Sequence, residues 1–172
     1  MGCKEAYEIC QHRWQDEVDY AETLRERRKL YTTLLVVAVS FGVFRIDLYV
    51  DPNHVAVINH PAAIWFMKIC TIGASVPLFI SVIWLYSSGQ KDENTPKRAS
   101  EYLELSAEEI DQLIIEEEDV SMRFKIERLR RATLGLSDGN RRISSNLKLA
   151  AVLIGSGYAL LTIHLVAYIL FR

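Results

Sequence analysis

The sequence predicts an all-α integral membrane protein with three transmembrane helices and a charged, helical cytoplasmic segment between the second and third. Two observations support this fold class. Half of the 172 residues are hydrophobic, and most of them gather in three long apolar runs. The formal net charge is only −2, yet acidic and basic residues separate into blocks between those runs. The length suits a single compact unit.

Each apolar run is long enough to cross the hydrocarbon core of a bilayer, which takes about 20 apolar residues in a helix. A helix in a soluble core has a polar face at helical spacing, and these runs largely lack one. We therefore predict three spans, at residues 30–50, 62–86 and 149–171.

Lysine and arginine are distributed unevenly around these spans. Residues 1–29 carry six of them, whereas the loop at 51–61 carries none, and residues 87–148 are again rich in them. Loops with more lysine and arginine stay on the cytoplasmic side of a membrane. The sequence therefore predicts a multi-pass membrane protein with a cytoplasmic N-terminus and residues 87–148 in the cytoplasm.

The first two polar segments predict different structures. Residues 4–29 contain neither Pro nor Gly and repeat apolar residues at helical spacing, which predicts a helix that runs into the first span. Residues 87–98, SSGQKDENTPKR, have the composition of a linker. We therefore expect the second span to end before this linker.

A helix start is predicted inside the charged segment. Ser106 and Glu109 form an S-x-x-E capping box ahead of an apolar run. The helix is expected to continue to about Thr133. Gly135, or the turn-forming sequence SDGN at 137–140, is expected to end it.

The charged segment divides into an acidic and a basic half. Residues 101–119 contain nine acids and no base, and residues 122–148 contain eight bases and two acids. Basic residues next to a span are explained by the positive-inside rule and by contact with anionic lipid. Some of these bases lie 18–26 residues before the third span, which is farther than topology alone needs. Two other uses stay open, pairing with the acidic half of a neighbouring subunit and binding a phosphate-bearing ligand. The candidate ligand-binding residues are Arg123, Arg128, Arg130, Arg131, Arg141 and Arg142.

Polar residues inside the spans are candidates for a conduction path, because ionisable groups in a membrane are functional by default. The three basic ones share a predicted depth of roughly 8–10 Å below the outer surface. Repeated around an oligomer, they would form a ring of positive charge in a pore. Snorkelling of the long side chains to the interface is the alternative. The candidate pore-lining residues are Arg45, Asp47, Lys68 and His164.

Small residues in the third span predict close helix packing. Gly155 and Gly157 lie at helical spacing from Ala151 and Ala159, so another helix can approach them closely. Replacing either glycine by leucine is expected to weaken assembly. Three spans alone form a poor pathway, so conduction would require an oligomer of four or more subunits.

The sequence carries no motif of a catalytic or cofactor-binding site. P-loop, G-x-G-x-x-G, G-x-S-x-G and H-E-x-x-H patterns are all absent from it. Its histidines and cysteines lack the spacing of a metal site. We therefore expect no enzymatic activity, no metal and no cofactor.

In its layout the chain resembles the SLATT-type and related small transmembrane effectors of prokaryotic antiviral defence systems. The likeness covers residues 11–148, in which a polar N-terminal helix leads into two spans and a long charged cytoplasmic helical segment. The resemblance implies a homo-oligomeric effector that depolarises or permeabilises the inner membrane. It also implies a trigger, either a nucleotide or oligonucleotide or a partner protein such as a nucleotidyltransferase from the same operon. The alternative is a non-conducting membrane scaffold whose cytoplasmic helices recruit a soluble partner.

The distribution of lysine and arginine predicts sidedness that cysteine labelling can test. A cysteine placed at Asn53 should react with a membrane-impermeant maleimide added outside cells, and a cysteine placed at Gln90 should not. Lysed cells provide the control in which both positions react. Labelling of Gln90 alone in intact cells would invert the predicted topology.

Overall fold

The computed structural model describes residues 2–50, 61–101, 103, 104, 106, 109 and 118–171, with the backbone alone at 43–50, 91–101 and 118–119. These residues form three long helices, α1 (Cys3–Val50), α2 (Pro61–Glu101) and α3 (Glu118–Phe171). The all-α class is therefore confirmed. So is the prediction that the N-terminal helix continues into the first apolar run, because α1 is unbroken.

The chain divides into two compact units. The first, the charged unit, comprises Met1–Glu26 and Ser88–Ser145. The second, the apolar unit, comprises Arg27–Ser87 and Asn146–Arg172. Each unit contains parts of all three helices.

In the charged unit, α1 and α3 pack side by side and run in the same direction. The Asn140 side-chain amide donates to the Glu17 backbone oxygen and to the Glu17 carboxylate, both at 2.9 Å. The Tyr20 hydroxyl donates to Ser144 Oγ at 3.1 Å. These contacts join residues 123 or 124 positions apart in sequence, which fixes the register of the two helices. The apolar side chains buried in this unit include Leu24, Leu129, Ala132, Leu136 and Ile143.

In the apolar unit, α2 and α3 approach closely. A Cβ atom added to Gly157 of α3 would lie only 2.7 Å from the Leu78 side chain of α2, so glycine allows this contact. Further along the pair, Met67 and Ala63 of α2 form a buried cluster with Ala167 of α3. Gly157 therefore serves packing within the chain, in contrast to the predicted role between subunits. A Cβ atom on Gly155 would contact nothing within 4 Å.

Two of the helices are long and apolar enough to cross a membrane. Among the described residues they are Pro61–Gln90 of α2 and Val120–Phe171 of α3, and each contains a window with a mean hydropathy of 1.9. Only 28% of each window is buried, whereas the core helix of a soluble protein is mostly buried. The predicted first span lies partly where the structure describes the backbone alone, so it stays a prediction.

The predicted linker at 87–98 is wrong. Helix α2 continues through this segment to Glu101. Gln, Lys, Glu and Arg are good helix formers, and extending an existing helix avoids the cost of nucleation. The polar composition of this segment therefore does not mark a break in the helix.

The predicted helix end at Gly135 or at residues 137–140 is also wrong, because α3 runs through both. Asn140 is buried and bonded to Glu17, and the neighbouring Leu136 and Ile143 are buried as well. Glycine costs roughly 1 kcal/mol in a helix interior. Packing of this stretch against α1 outweighs that cost.

The predicted capping box is confirmed. The Ser106 backbone N–H donates to the Glu109 carboxylate at 2.9 Å, and the Glu109 backbone N–H donates to Ser106 Oγ at 3.2 Å. This reciprocal pair satisfies two backbone donors that a helix start leaves open. Residues 110–117, over which the predicted helix would follow, lie outside the described residues.

The two glycines of α3 should differ sharply in their effect on folding. Gly157→Leu forces atoms into the Leu78 side chain and should destabilise the subunit by about 1–3 kcal/mol, the usual cost of overpacking. Gly155→Leu is the matched control, because its position is open and its stability should be close to that of the wild type. Thermal unfolding in detergent measures both. Equal destabilisation by the two substitutions would contradict the packing described here.

Candidate functional site

The arginines of α3 fall into two sets. Arg128 pairs with the Glu109 carboxylate, and Arg131 pairs with the Glu127 carboxylate at 3.0 Å. The other predicted ligand-binding arginines are exposed and have no hydrogen-bond or ion-pair partner among the described residues; these are Arg123, Arg130, Arg141 and Arg142. Within the described residues, the structure therefore separates arginines that have a carboxylate partner from exposed arginines that have none.

Arg128 joins the acidic and basic halves of the charged segment within one chain. Its guanidinium donates to the Glu104 backbone oxygen at 2.6 Å and to the Glu109 carboxylate, and it stacks over the Phe124 ring at 4.8 Å. The Ser106 backbone N–H lowers the pKa of Glu109 most, partial burial opposes the shift, and the Arg128 charge lowers the pKa further. Glu109 is therefore ionised at neutral pH, and Arg128 already holds an anion.

A small cavity adjoins this arginine. It has a volume of about 130 Å³, and the side chains that line it include Tyr7, Phe124, Lys125 and Arg128. Small-molecule sites usually measure roughly 300–1,000 Å³. The cavity is therefore too small to accept a whole nucleotide in this arrangement, although its rings and cations suit a small anionic group.

The exposed arginines lie along one side of α3. Arg123, Arg130 and Arg141 are separated by 7 and 11 residues, close to two and three helical turns. At 1.5 Å per residue they cover about 27 Å of helix. We call the set Arg123, Arg130, Arg131, Arg141 and Arg142 the arginine face. The predicted break at 137–140 would have separated Arg141 and Arg142 from the others, so the continuous face is visible only in the structure.

Of the predicted pore-lining residues, His164 is fully buried within the apolar unit. Its Nδ1 atom lies 3.2 Å from Thr71 Oγ1 and 3.2 Å from the Met67 backbone oxygen. The Thr71 hydroxyl also donates to that oxygen, at 3.0 Å. His164 is thus a polar contact between α2 and α3, and its side chain does not reach the surface of the subunit.

Lys68 occupies a different environment. It is half-buried, and its ammonium lies 5.5 Å from the centroid of the Trp65 ring. Trp65 is 67% exposed, so this cation–π pair lies at the edge of the unit. Arg45 and Asp47 belong to α1, but their side chains lie outside the described residues. The structure therefore leaves open whether the four residues share one path.

An apolar groove in the apolar unit was not predicted. Its volume is about 330 Å³, and residues of all three helices line it, among them Ala38, Gly42, Ala74, Phe79 and Leu161. Ala38 and Gly42 are small residues four positions apart, a spacing that could have indicated it. None of the described residues that line the groove is charged, so this lining suits hydrocarbon rather than a polar ligand.

Comparison with known protein families, characterised proteins and solved structures finds no match for this chain. The likeness to SLATT-type effectors therefore stays a resemblance in layout. The structure by itself defines an all-α protein with two helices long and apolar enough to span a membrane. Within the described residues, no group of three or more His, Cys, Asp or Glu side chains is placed to hold a metal ion.

The two sets of arginines should differ in binding to a polyanion. With inorganic polyphosphate as the probe, Arg130→Ala should weaken binding. It should also reduce the slope of log K against log salt concentration by about one, because one phosphate contact is lost. Arg131→Ala is the matched control, because its guanidinium is already paired with Glu127. Fluorescence anisotropy at several salt concentrations measures both. Equal losses for the two variants would show that the pairing with Glu127 does not matter for binding.

Proposed function

We propose that this protein is an oligomeric membrane effector that permeabilises or depolarises the cell inner membrane in anti-phage defence. In this proposal the N-terminus and the charged unit lie in the cytoplasm, and the apolar part of α1 crosses the membrane as the first of three spans. A nucleotide or oligonucleotide signal, or a partner protein, gates the protein through the charged unit. The layout shared with SLATT-type effectors supports the defence role.

The observation that carries the membrane part is the large number of exposed apolar side chains in the apolar unit. Ile69, Ile72, Phe79, Val152 and Ile169 are each at least 65% exposed. Water would make such a surface costly, and lipid makes it favourable. The described apolar part of α1 has the same character, because Leu30, Val36 and Val37 are all more than half exposed.

The hydroxyl groups of the apolar unit support the same environment. Five of them, all on serine or threonine, donate to a backbone oxygen three or four residues earlier in their own helix, so these five hydroxyl protons need no water. Hydrocarbon requires this kind of internal satisfaction. The residues are Thr71, Ser75, Ser81, Ser156 and Thr162.

The gating part of the proposal depends on the arginine face. Four of its five guanidinium groups have no carboxylate partner among the described residues, and such exposed groups match phosphate oxygens in geometry and charge. Arg123 and Arg130 lie farther from the third apolar run than positive-inside topology requires. A phosphate-bearing signal is therefore the trigger that this surface suits best.

The conduction path of the proposal runs beside Lys68. A ring of this ammonium from several subunits, together with Arg45, would favour anions unless Asp47 neutralises Arg45. His164 would add charge to the path only if the α2–α3 contact opened, since it is buried in this arrangement. That burial favours the second candidate function, a non-conducting scaffold that recruits a soluble partner through the charged unit.

Planar-bilayer recordings of the purified full-length protein separate the two functions. The effector should give currents, and Lys68→Glu should shift their reversal potential towards cations, while Lys68→Met should lower conductance with little effect on folding. Cyclic dinucleotides and short oligoadenylates serve as candidate triggers. Absence of currents with and without these nucleotides would favour the scaffold. Currents whose selectivity is unchanged by Lys68→Glu would place the pore elsewhere.

A further inference from the structure

We propose that the charged unit carries two complementary faces through which copies of this chain bind one another head to tail. The arginine face of α3 in one copy contacts an acidic face of α1 in the next. The inference rests on the proposed function in one respect, namely that copies inserted in one membrane share the same orientation.

The acidic face lies on α1. Glu5, Glu8, Asp16 and Asp19 are all exposed, and at 3.6 residues per turn they fall within an arc of about 80°. This arc points away from Leu24, which is buried against the rest of the unit. The four carboxylates form two pairs related by a shift of eleven residues, close to three helical turns.

The arginine face repeats with the same period. Arg130 and Arg131 form one pair, and Arg141 and Arg142 form a second pair eleven residues later. All four are exposed. Arg131 and Arg142 lie on the opposite side of α3 from the buried Asn140, and Arg130 and Arg141 lie about 80–100° from it around the helix. Two acidic pairs on one helix thus match two basic pairs on another in spacing.

The packing of α1 against α3 brings these pairs to the same levels. The Asn140–Glu17 and Tyr20–Ser144 contacts place each residue of α1 beside the residue of α3 that is 123 or 124 positions later. Glu8 therefore lies level with residues 131–132, and Asp19 with residues 142–143. These are the levels of the two arginine pairs.

The two faces cannot meet within one chain, because they point away from the shared contact between α1 and α3. A neighbouring copy related by rotation about an axis parallel to the helices keeps every residue at its level. The acidic face of one copy then meets the arginine face of the next without any axial shift. Such a heterologous contact forms a closed ring when the repeated rotation from copy to copy adds up to a full turn.

Each face also has residues of the opposite charge, and these lie at similar levels along the two helices. Glu127 and Asp138 are acidic residues on the side of α3 that carries the arginines, and Lys4 and Arg13 of α1 lie within two residues of their levels. Exposed ion pairs are individually weak, so these contacts select the partner and the register more than they supply affinity. A phosphate-bearing signal would compete with the carboxylates for the same arginines, which links gating to this interface.

A crossed cysteine design tests the interface. In full-length protein with Cys3→Ser, Cys10→Ser and Cys70→Ala, two differently tagged copies carry one new cysteine each and are co-expressed. Oxidation of the isolated membranes with copper phenanthroline should then form disulfides between copies for Glu8→Cys with Arg131→Cys and for Asp19→Cys with Arg142→Cys. Their levels agree, and disulfides require Cα atoms within about 7 Å.

The same four cysteines provide the control when the pairs are exchanged. Glu8→Cys with Arg142→Cys, and Asp19→Cys with Arg131→Cys, are separated by about 16 Å along the helices and should give almost no product. Equal yields from matched and exchanged pairs would overturn the proposal. So would a higher yield between two copies that both carry Arg142→Cys.

Charge exchange gives an independent readout. Arg141→Glu with Arg142→Glu should reduce the oligomer fraction measured by mass photometry in nanodiscs, and adding Asp16→Arg with Asp19→Arg should restore it. Reduction without restoration would contradict the pairing. If the matched pairs cross-link but the protein gives no currents, the channel function is contradicted and the interface is supported. The two proposals can therefore be tested separately.

Discussion

The buried amide of Asn140 is the contact on which the arrangement of the charged unit depends. It donates both to the backbone and to the carboxylate of Glu17, and Tyr20 with Ser144 repeats the link one turn later. Burying a polar group without hydrogen-bond partners costs free energy. A shift of α1 along α3 would break these hydrogen bonds, so it would cost more than the same shift between two purely apolar surfaces. A single buried asparagine fixes the register of coiled coils for the same reason.

The register of α1 and α3 determines which charged side chains lie on the outer surfaces of the two helices. With α1 and α3 locked in parallel, acidic residues lie along the outside of one helix and arginines along the outside of the other. Arg128 is the exception, because Glu109 and Glu104 from the acidic segment bind it within the chain. The near-zero net charge of the protein therefore conceals two charged surfaces of opposite sign.

In the apolar unit, several polar side chains have their hydrogen-bond partners inside the chain. Five serine and threonine hydroxyls bond to their own helices, His164 lies between Thr71 and Met67, and glycine at position 157 allows α2 and α3 to approach. Many large aliphatic side chains face outward, while others are buried between the helices. Such an arrangement is stable in lipid, where packing and internal hydrogen bonds take the place of the hydrophobic effect.

The sequence alone determined the helical class, the capping box at Ser106 and the division into acidic and basic blocks, because period, length and local hydrogen bonding are short-range properties. It predicted three spans, and two of them lie in helices long and apolar enough to cross a membrane. It predicted a linker at 87–98 and a helix end near Gly135, and both were wrong, since propagation and packing override weak local propensities. Only the tertiary structure decided which arginines are paired, that Gly157 contacts Leu78, and that His164 is buried. Each of these depends on which residues of distant helices become neighbours, and the register set by Asn140 and Glu17 is a contact across 123 residues that no local pattern encodes.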